Sequence, residues 1–343
     1  MLRPEIAARS GYDAQHPAAR IILDANESPY DLTPDIKDRV FSRLKQIPFN
    51  RYPEANSRAL RGLAAEHLGV DEDYIVTGNG SDELINYLIS ACIDPGDRVV
   101  FPEPSFSMYR ILAETHHAEV ITEPLGENWE LTDDLIKASR KASLVFLGYP
   151  NNPTGNCFDR EKINELRSET DGLVIIDEAY SEFSGHSFVD EVSAGEPLVV
   201  LRTLSKAFGL AGIRTGFLIA PPQIVEGIST VKLPYNLNRL SQVTAEEALK
   251  NKETILKNVD IIIEQRNKLF DFLEEQGLKP YPTEANFVLF RPSCADGFYH
   301  QLLESGIRVR SFSAPRLENC LRVNVGTPAE NQTLIEAIKE INS

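Results

Sequence analysis

Little in this sequence suits metal binding or oxidative cross-linking. The four cysteines, Cys92, Cys157, Cys294 and Cys320, are scattered without CxxC spacing; that argues against a zinc framework or a disulfide scaffold and fits a reducing cytoplasm. Six histidines (His16, His67, His116, His117, His186 and His300) stand outside every motif described below, and no Ser-His-Asp order is present. Basic charge is scarce: 35 Lys and Arg against 51 Asp and Glu give a net charge of −16, with no stripe for a nucleic-acid backbone or an anionic membrane. No apolar run approaches membrane-spanning length. The first thirty residues carry Arg3, Glu5, Arg9, Asp13 and Arg20 and lack the apolar segment of a signal peptide. Repeats, low-complexity tracts and Gly/Ser linkers are also missing. A site for an anionic small molecule must therefore be locally positive against an acidic background.

What is present is a chain of 343 residues with 42% apolar content, enough for one large domain and a smaller one. Residues 1–30 read as an irregular arm ending in LDANESPY at Leu23 to Tyr30. Helices are expected from about Pro34 to Gln46 and from Ser57 to Leu68, with Tyr52 in the loop between them. Short apolar strands then alternate with helices: YIVT before a helix at Ser81, RVVF, EVIT, LVFLG, LVII and LVVL, ending at Leu201. This alternation predicts an α/β domain over residues 31–238, with a mostly parallel, seven-stranded-type sheet flanked by helices and right-handed crossovers. After a further strand, FLIA, and the connecting loop VKLPYNLN, a long helical tract begins near Leu240. Residues 239–343 read as a separate α+β domain carrying Arg310 and Arg322 on or just after its strands, joined by part of the N-terminal segment.

The polar residues concentrate where the strands end. Gly80, Ser81 and Asp82, Asn152, Asp177 and Tyr180, Ser205 and Lys206, and Arg214 fall at or just beyond the carboxyl ends of strands, the edge at which open α/β sheets bind ligands. GNG before a helix start directs amides and the helix dipole at one spot suited to phosphate. Prolines 102 and 104 hold Phe106, whose ring could stack on a flat ligand. A lysine nucleophile, an anion-binding helix start, an acid, a phenol, an amide and an arginine together suit pyridoxal phosphate. In that reading Lys206 bonds the cofactor aldehyde, Asp177 pairs with the ring nitrogen, and Tyr180 and Asn152 hydrogen-bond the phenolic oxygen. Arg214, Ser205 and the Ser81 and Asp82 amides hold the phosphate, and Phe106 covers the ring.

The phrases LDANESP, NRYP, GNGSDE, PEPSFSMY, NNPTG, DEAYSEF, TLSKAFGLAGIRTGF, EANFVLF and LRVNVGT run in order over nearly the whole chain. Together they resemble the fold-type-I aminotransferases. LDANESP and NRYP narrow the resemblance to the histidinol-phosphate subgroup. The resemblance implies amino transfer between L-histidinol phosphate and 2-oxoglutarate in histidine biosynthesis. It also implies an obligate homodimer in which Tyr52 reaches the neighbouring subunit's cofactor phosphate, and an anion site for the substrate made by Tyr12, Arg310 and Arg322. Alternatives sharing the same cofactor set are an aromatic or broad-specificity aminotransferase, a threonine-phosphate decarboxylase and a non-catalytic regulator that binds the cofactor. A nicotinamide dehydrogenase fits poorly, since GNGSDE has too few glycines for that fingerprint.

Overall fold

A computed structural model describes residues 17–342. In chain order its strands are β1 (Ile21–Leu23), β2 (Ile75–Gly78), β3 (Arg98–Glu103), β4 (Glu119–Pro124), β5 (Leu144–Gly148), β6 (Leu173–Asp177), β7 (Leu198–Thr203), β8 (Gly216–Ile219), β9 (Phe287–Phe290), β10 (Ile307–Ser311) and β11 (Leu321–Asn324). Seven form a sheet in the order β2-β8-β7-β6-β5-β3-β4. The five strands β4, β3, β5, β6 and β7 run parallel, whereas β8 is antiparallel to both of its neighbours. The central strands are buried on both faces, which explains their unbroken apolar runs. Two cores result, one on each side of the sheet.

A second sheet of four strands, in the order β1-β10-β11-β9, has its own core around Leu273, Val288, Leu302, Leu321 and Ile338. Its first member, β1, lies within the stretch expected to be irregular. It pairs in parallel with β10, Ile21 opposite Ile307 and Leu23 opposite Val309, so the arm is tied to the smaller sheet.

The helices that matter below are α1 (Pro34–Leu44), α2 (Arg58–Leu68), α3 (Gly80–Cys92), α4 (Met108–Thr115), α5 (Arg239–Lys250) and α6 (Lys252–Glu275). Helix α5 was expected in the smaller domain, but it packs on α1 and α2 and shares their core. The change of core falls inside α6, where Ile255, Val259 and Ile262 join the large core and Leu269, Phe272 and Leu273 the small one. A single long helix therefore bridges both units, and its sequence shows no break there because its apolar stripe continues unchanged. The last helix, Pro328–Ile341, has the expected start: Thr327 and Glu330 form a capping box, with Pro328 at the first position.

Candidate active site

The carboxyl ends of β5, β6 and β7 open into a cavity of about 1060 Å³, walled on the far side by β10, β11 and the segment between them. Lys206, Asp177, Tyr180, Asn152, Ser205, Ser81, Asp82, Phe106, Arg214, Arg310 and Arg322 all line it.

Lys206 follows β7 in a loop closed by hydrogen bonds from Leu204 N to Thr215 O and from Leu210 N to Leu204 O. Its Nζ donates to Ala25 O at 3.2 Å and stands 5.8 Å from the Tyr180 ring centre. Burial, with the Arg322 charge next in weight, lowers its pKa to about 8. Asp177 is the last residue of β6 and is buried. Its Oδ1 accepts from Ala179 N at 3.2 Å and its Oδ2 from the Tyr109 hydroxyl at 2.8 Å. Burial raises its pKa to about 6, although those two bonds and Lys206 favour the anion. Tyr180, packed edge-on to Phe287, accepts at its hydroxyl from Asn26 Nδ2 at 2.9 Å; burial raises the phenol.

The corner expected to take the phosphate is built by close backbone approach. Gly80 opens α3 with φ +75, a conformation that favours glycine, and a side chain there would meet the Arg214 guanidinium at 2.8 Å. Gly216, beside the same turn, would drive a Cβ to 2.7 Å from Gly80 C. The two glycines thus let the first turn of α3, whose amides lack intrahelical partners, come against Arg214. Arg214 takes φ 54 and bonds Asp82 Oδ2 at 3.0 Å. Ser205 accepts from Thr203 Oγ1 at 3.0 Å.

Across the cavity, Arg310 on β10 stands directly opposite Arg322 on β11 in antiparallel register. Like charges directly opposite each other in a sheet are destabilising. Arg322 donates to Asn152 Oδ1 at 2.5 Å and to Asp24 O at 2.7 Å, and lies 5.2 Å from the Phe287 ring centre.

Tyr52 is 81% exposed, stacks on Tyr235 at 4.5 Å and does not line the cavity. Tyr12 lies outside the described residues. The structure adds two residues that the sequence reading missed. Tyr109 occupies the start of α4, where its aromatic ring passes for core, and Asn26 sits at φ 54 just past β1. Both belonged to the quoted phrases PEPSFSMY and LDANESP, but nothing local marked them as partners of Asp177 and Tyr180. Among the described residues no group of His, Cys, Asp and Glu could hold a metal ion, and no helix is long and apolar enough to cross a membrane.

A mostly parallel sheet with a strand-end lysine, a buried strand-end carboxylate and a glycine-opened helix start, covered by a smaller sheet bearing arginines, defines a fold-type-I transferase. The sequence model for "Aminotransferase class I and II" matches residues 19–338. The chain is 42% identical over 342 residues to the histidinol-phosphate aminotransferase of Pyrococcus furiosus, covering 99% of this chain and 98% of that one. It is 40% identical to the histidinol-phosphate aminotransferase of Caldanaerobacter subterraneus subsp. tengcongensis, covering 100% and 99%. A crystal structure of histidinol-phosphate aminotransferase from Sinorhizobium meliloti in complex with pyridoxal-5'-phosphate superposes with a TM-score of 0.87 at 23% identity, covering 95% of this chain and 91% of that one. The chain belongs to the class I and II aminotransferase family.

Proposed function

We propose that this chain is a histidinol-phosphate aminotransferase that uses pyridoxal phosphate to move the amino group of L-histidinol phosphate to 2-oxoglutarate. The observation that carries the chemistry is the meeting, in one cavity, of a lysine with a pKa near 8, a buried carboxylate and two opposed arginines. The names of the full-length relatives support the donor.

The residues present fit the cofactor. The cradle at Gly80 and Gly216, in which a Cβ has no room, suits a phosphate held by the amides of Ser81 and Asp82, by Ser205 and by Arg214. Asp177, anionic above about pH 6 and held by Tyr109, suits a cationic ring nitrogen. Tyr180 and Asn152 supply partners for a ring oxygen, and Phe106 an apolar cover. When bound, pyridoxal phosphate supplies an aldehyde to bond amines and a protonated ring that withdraws electrons. Lys206 then acts as the base that moves the Cα proton of the substrate, helped by a pKa that leaves about half of it neutral near pH 8. Arg322 and Arg310 would hold the anionic end of either substrate, since phosphate and carboxylate both present paired oxygens to a planar guanidinium.

Comparing kcat/KM for histidinol phosphate, phenylalanine, tyrosine and threonine phosphate, each with 2-oxoglutarate, tests the donor. Histidinol phosphate is expected to lead. A lead for free aromatic amino acids would replace this reading with an aromatic aminotransferase, and carbon dioxide release from threonine phosphate would replace it with a decarboxylase. Any turnover counts against a silent regulator.

The same proposal includes a cytoplasmic homodimer. Phe41, Phe49, Tyr52, Leu233, Tyr235 and Leu240 are exposed on neighbouring elements, an apolar surface of the sort a second copy covers. Tyr52 would serve the partner's cofactor phosphate. If so, mixing Tyr52→Phe and Lys206→Ala subunits regenerates one intact site per heterodimer, and about half of wild-type activity per heterodimer is expected. No recovery above the Tyr52→Phe level would mean that Tyr52 acts within its own subunit or not at all.

A further inference from the structure

Arg316 lies midway along the segment that joins β10 to β11, six residues after Arg310 and six before Arg322. That segment forms a wall of the cavity, from Ser311 through Leu317. The side chain of Arg316 leaves the smaller sheet and crosses to the large one. Its guanidinium donates to Leu125 O and, at 2.7 Å, to Gly126 O, both just beyond the end of β4. It also lies 4.5 Å from the ring centre of Trp129, a cation-on-aromatic contact.

The contact is held from both sides. Trp129 is buried, packs edge-on to Tyr281 at 5.3 Å, and accepts at its carbonyl from Asn156 Nδ2 at 2.9 Å. Arg316 itself sits at φ 69, a left-handed conformation that a side-chain-bearing residue keeps where its surroundings impose it. Its carbonyl accepts from Arg291 Nη2 at 3.3 Å. Phe312, on the same segment, faces the Arg322 guanidinium at 5.9 Å from ring centre. The segment carrying this clasp thus connects the two strands that present Arg310 and Arg322, and the clasp pins it to the chain just after β4 of the other sheet, next to Pro124 in the cavity lining.

We infer that Arg316 is a positioning residue for substrate: by clasping Trp129 and the Leu125 and Gly126 carbonyls it holds the β10 to β11 segment across the cleft and so fixes where Arg310 and Arg322 meet the substrate anion. This rests on the reading that those two arginines hold that anion. Because Arg316 does not touch the reacting atoms, its loss weakens binding of the ground state and the transition state alike. A lysine keeps the charge but not the planar fork that engages two carbonyls.

The test uses the full chain with cofactor bound and compares wild type, Arg316→Ala and Arg316→Lys. Trp129 is the single tryptophan of the sequence, so its emission reports the clasp directly. Arg316→Ala is expected to shift that emission to longer wavelength and to raise KM for histidinol phosphate and for 2-oxoglutarate about tenfold, with kcat changed less than about twofold. Arg316→Lys is expected to fall between, with KM raised about threefold. Shifted emission with unchanged KM would overturn the inference and leave the clasp a purely structural contact. Unchanged emission in a folded Arg316→Ala protein would overturn it by showing that the clasp does not exist in solution, as would a fall in kcat at constant KM. If Arg316→Ala fails to fold, Arg316→Lys carries the same comparison. Should the wild-type protein not accept histidinol phosphate, that result counts against the substrate reading alone, and KM is compared with the donor it does accept.

Discussion

Lys206→Ala is expected to lower transamination by on the order of 10⁴-fold while cofactor uptake survives. The size follows from the position. The amine stands at the end of β7, 3.2 Å from Ala25 O and inside the cavity, and burial has brought its pKa to about 8. It is thus available as a neutral nucleophile and base under conditions in which a surface lysine is almost wholly protonated. Among the described residues no other lysine lines the cavity. The phosphate cradle proposed at Gly80, Ser81, Ser205 and Arg214 does not involve the amine, so binding is expected to persist. Steady-state rates together with an absorbance titration of the variant with pyridoxal phosphate check both halves. Retained turnover would mean that another base does the work; lost uptake would mean that the lysine bond dominates binding.

The second large effect belongs to Asp177→Asn. Removing the carboxylate charge proposed to pair with the cofactor ring nitrogen is expected to reduce kcat by on the order of 10³-fold. A stability effect of opposite sign accompanies it. The folded pKa of Asp177 lies near 6, above the ordinary carboxylate value of 3.8, because burial disfavours the anion. Below about pH 4 the carboxyl is protonated whether the chain is folded or not, and no penalty applies. Between about pH 4 and 6 the unfolded chain ionises first, so folding stability contributed by this group declines as pH rises, and above 6 the full penalty is in place. About two pKa units correspond to on the order of 3 kcal/mol. In protein freed of cofactor, Asp177→Asn is therefore expected to be more stable than wild type at pH 8, with the gain shrinking toward pH 4. Thermal unfolding across that range checks it, and an asparagine variant less stable at pH 8 would show that the Tyr109 and Ala179 bonds outweigh the cost of burial.

Much of this architecture was legible in the chain. The apolar runs of β3, β5, β6 and β7 are readable because strands buried on both faces leave no place for polar residues, and the site residues follow because they cap those runs. What was not legible depends on distant partners. The strand β1 has three residues and exists through its pairing with Ile307 to Val309, nearly three hundred residues on. The reversed direction of β8 lies in a hairpin-like return from β7, with Thr203 opposite Gly216, and an apolar run carries no direction. The helix Pro222–Val231 was not expected between β8 and the VKLPYNLN loop, because it starts at the second of two prolines, although proline is at home in a first turn. Helix α4 and Tyr109 were hidden behind Pro102 and Pro104, which read as a loop although Pro102 belongs to β3. Asn26 and Arg316 act at long range through positive-φ positions, which nothing in the local pattern requires. Around the cavity, then, the polar residues at strand ends could be read, and the side chains that hold them in place could not.

Lys206 is expected to carry the cofactor. Purified protein supplied with pyridoxal phosphate should be yellow, and borohydride reduction followed by peptide mapping should find the cofactor attached to the peptide containing Lys206. A label on any other lysine, or a colourless protein that takes up no pyridoxal phosphate, would contradict the account.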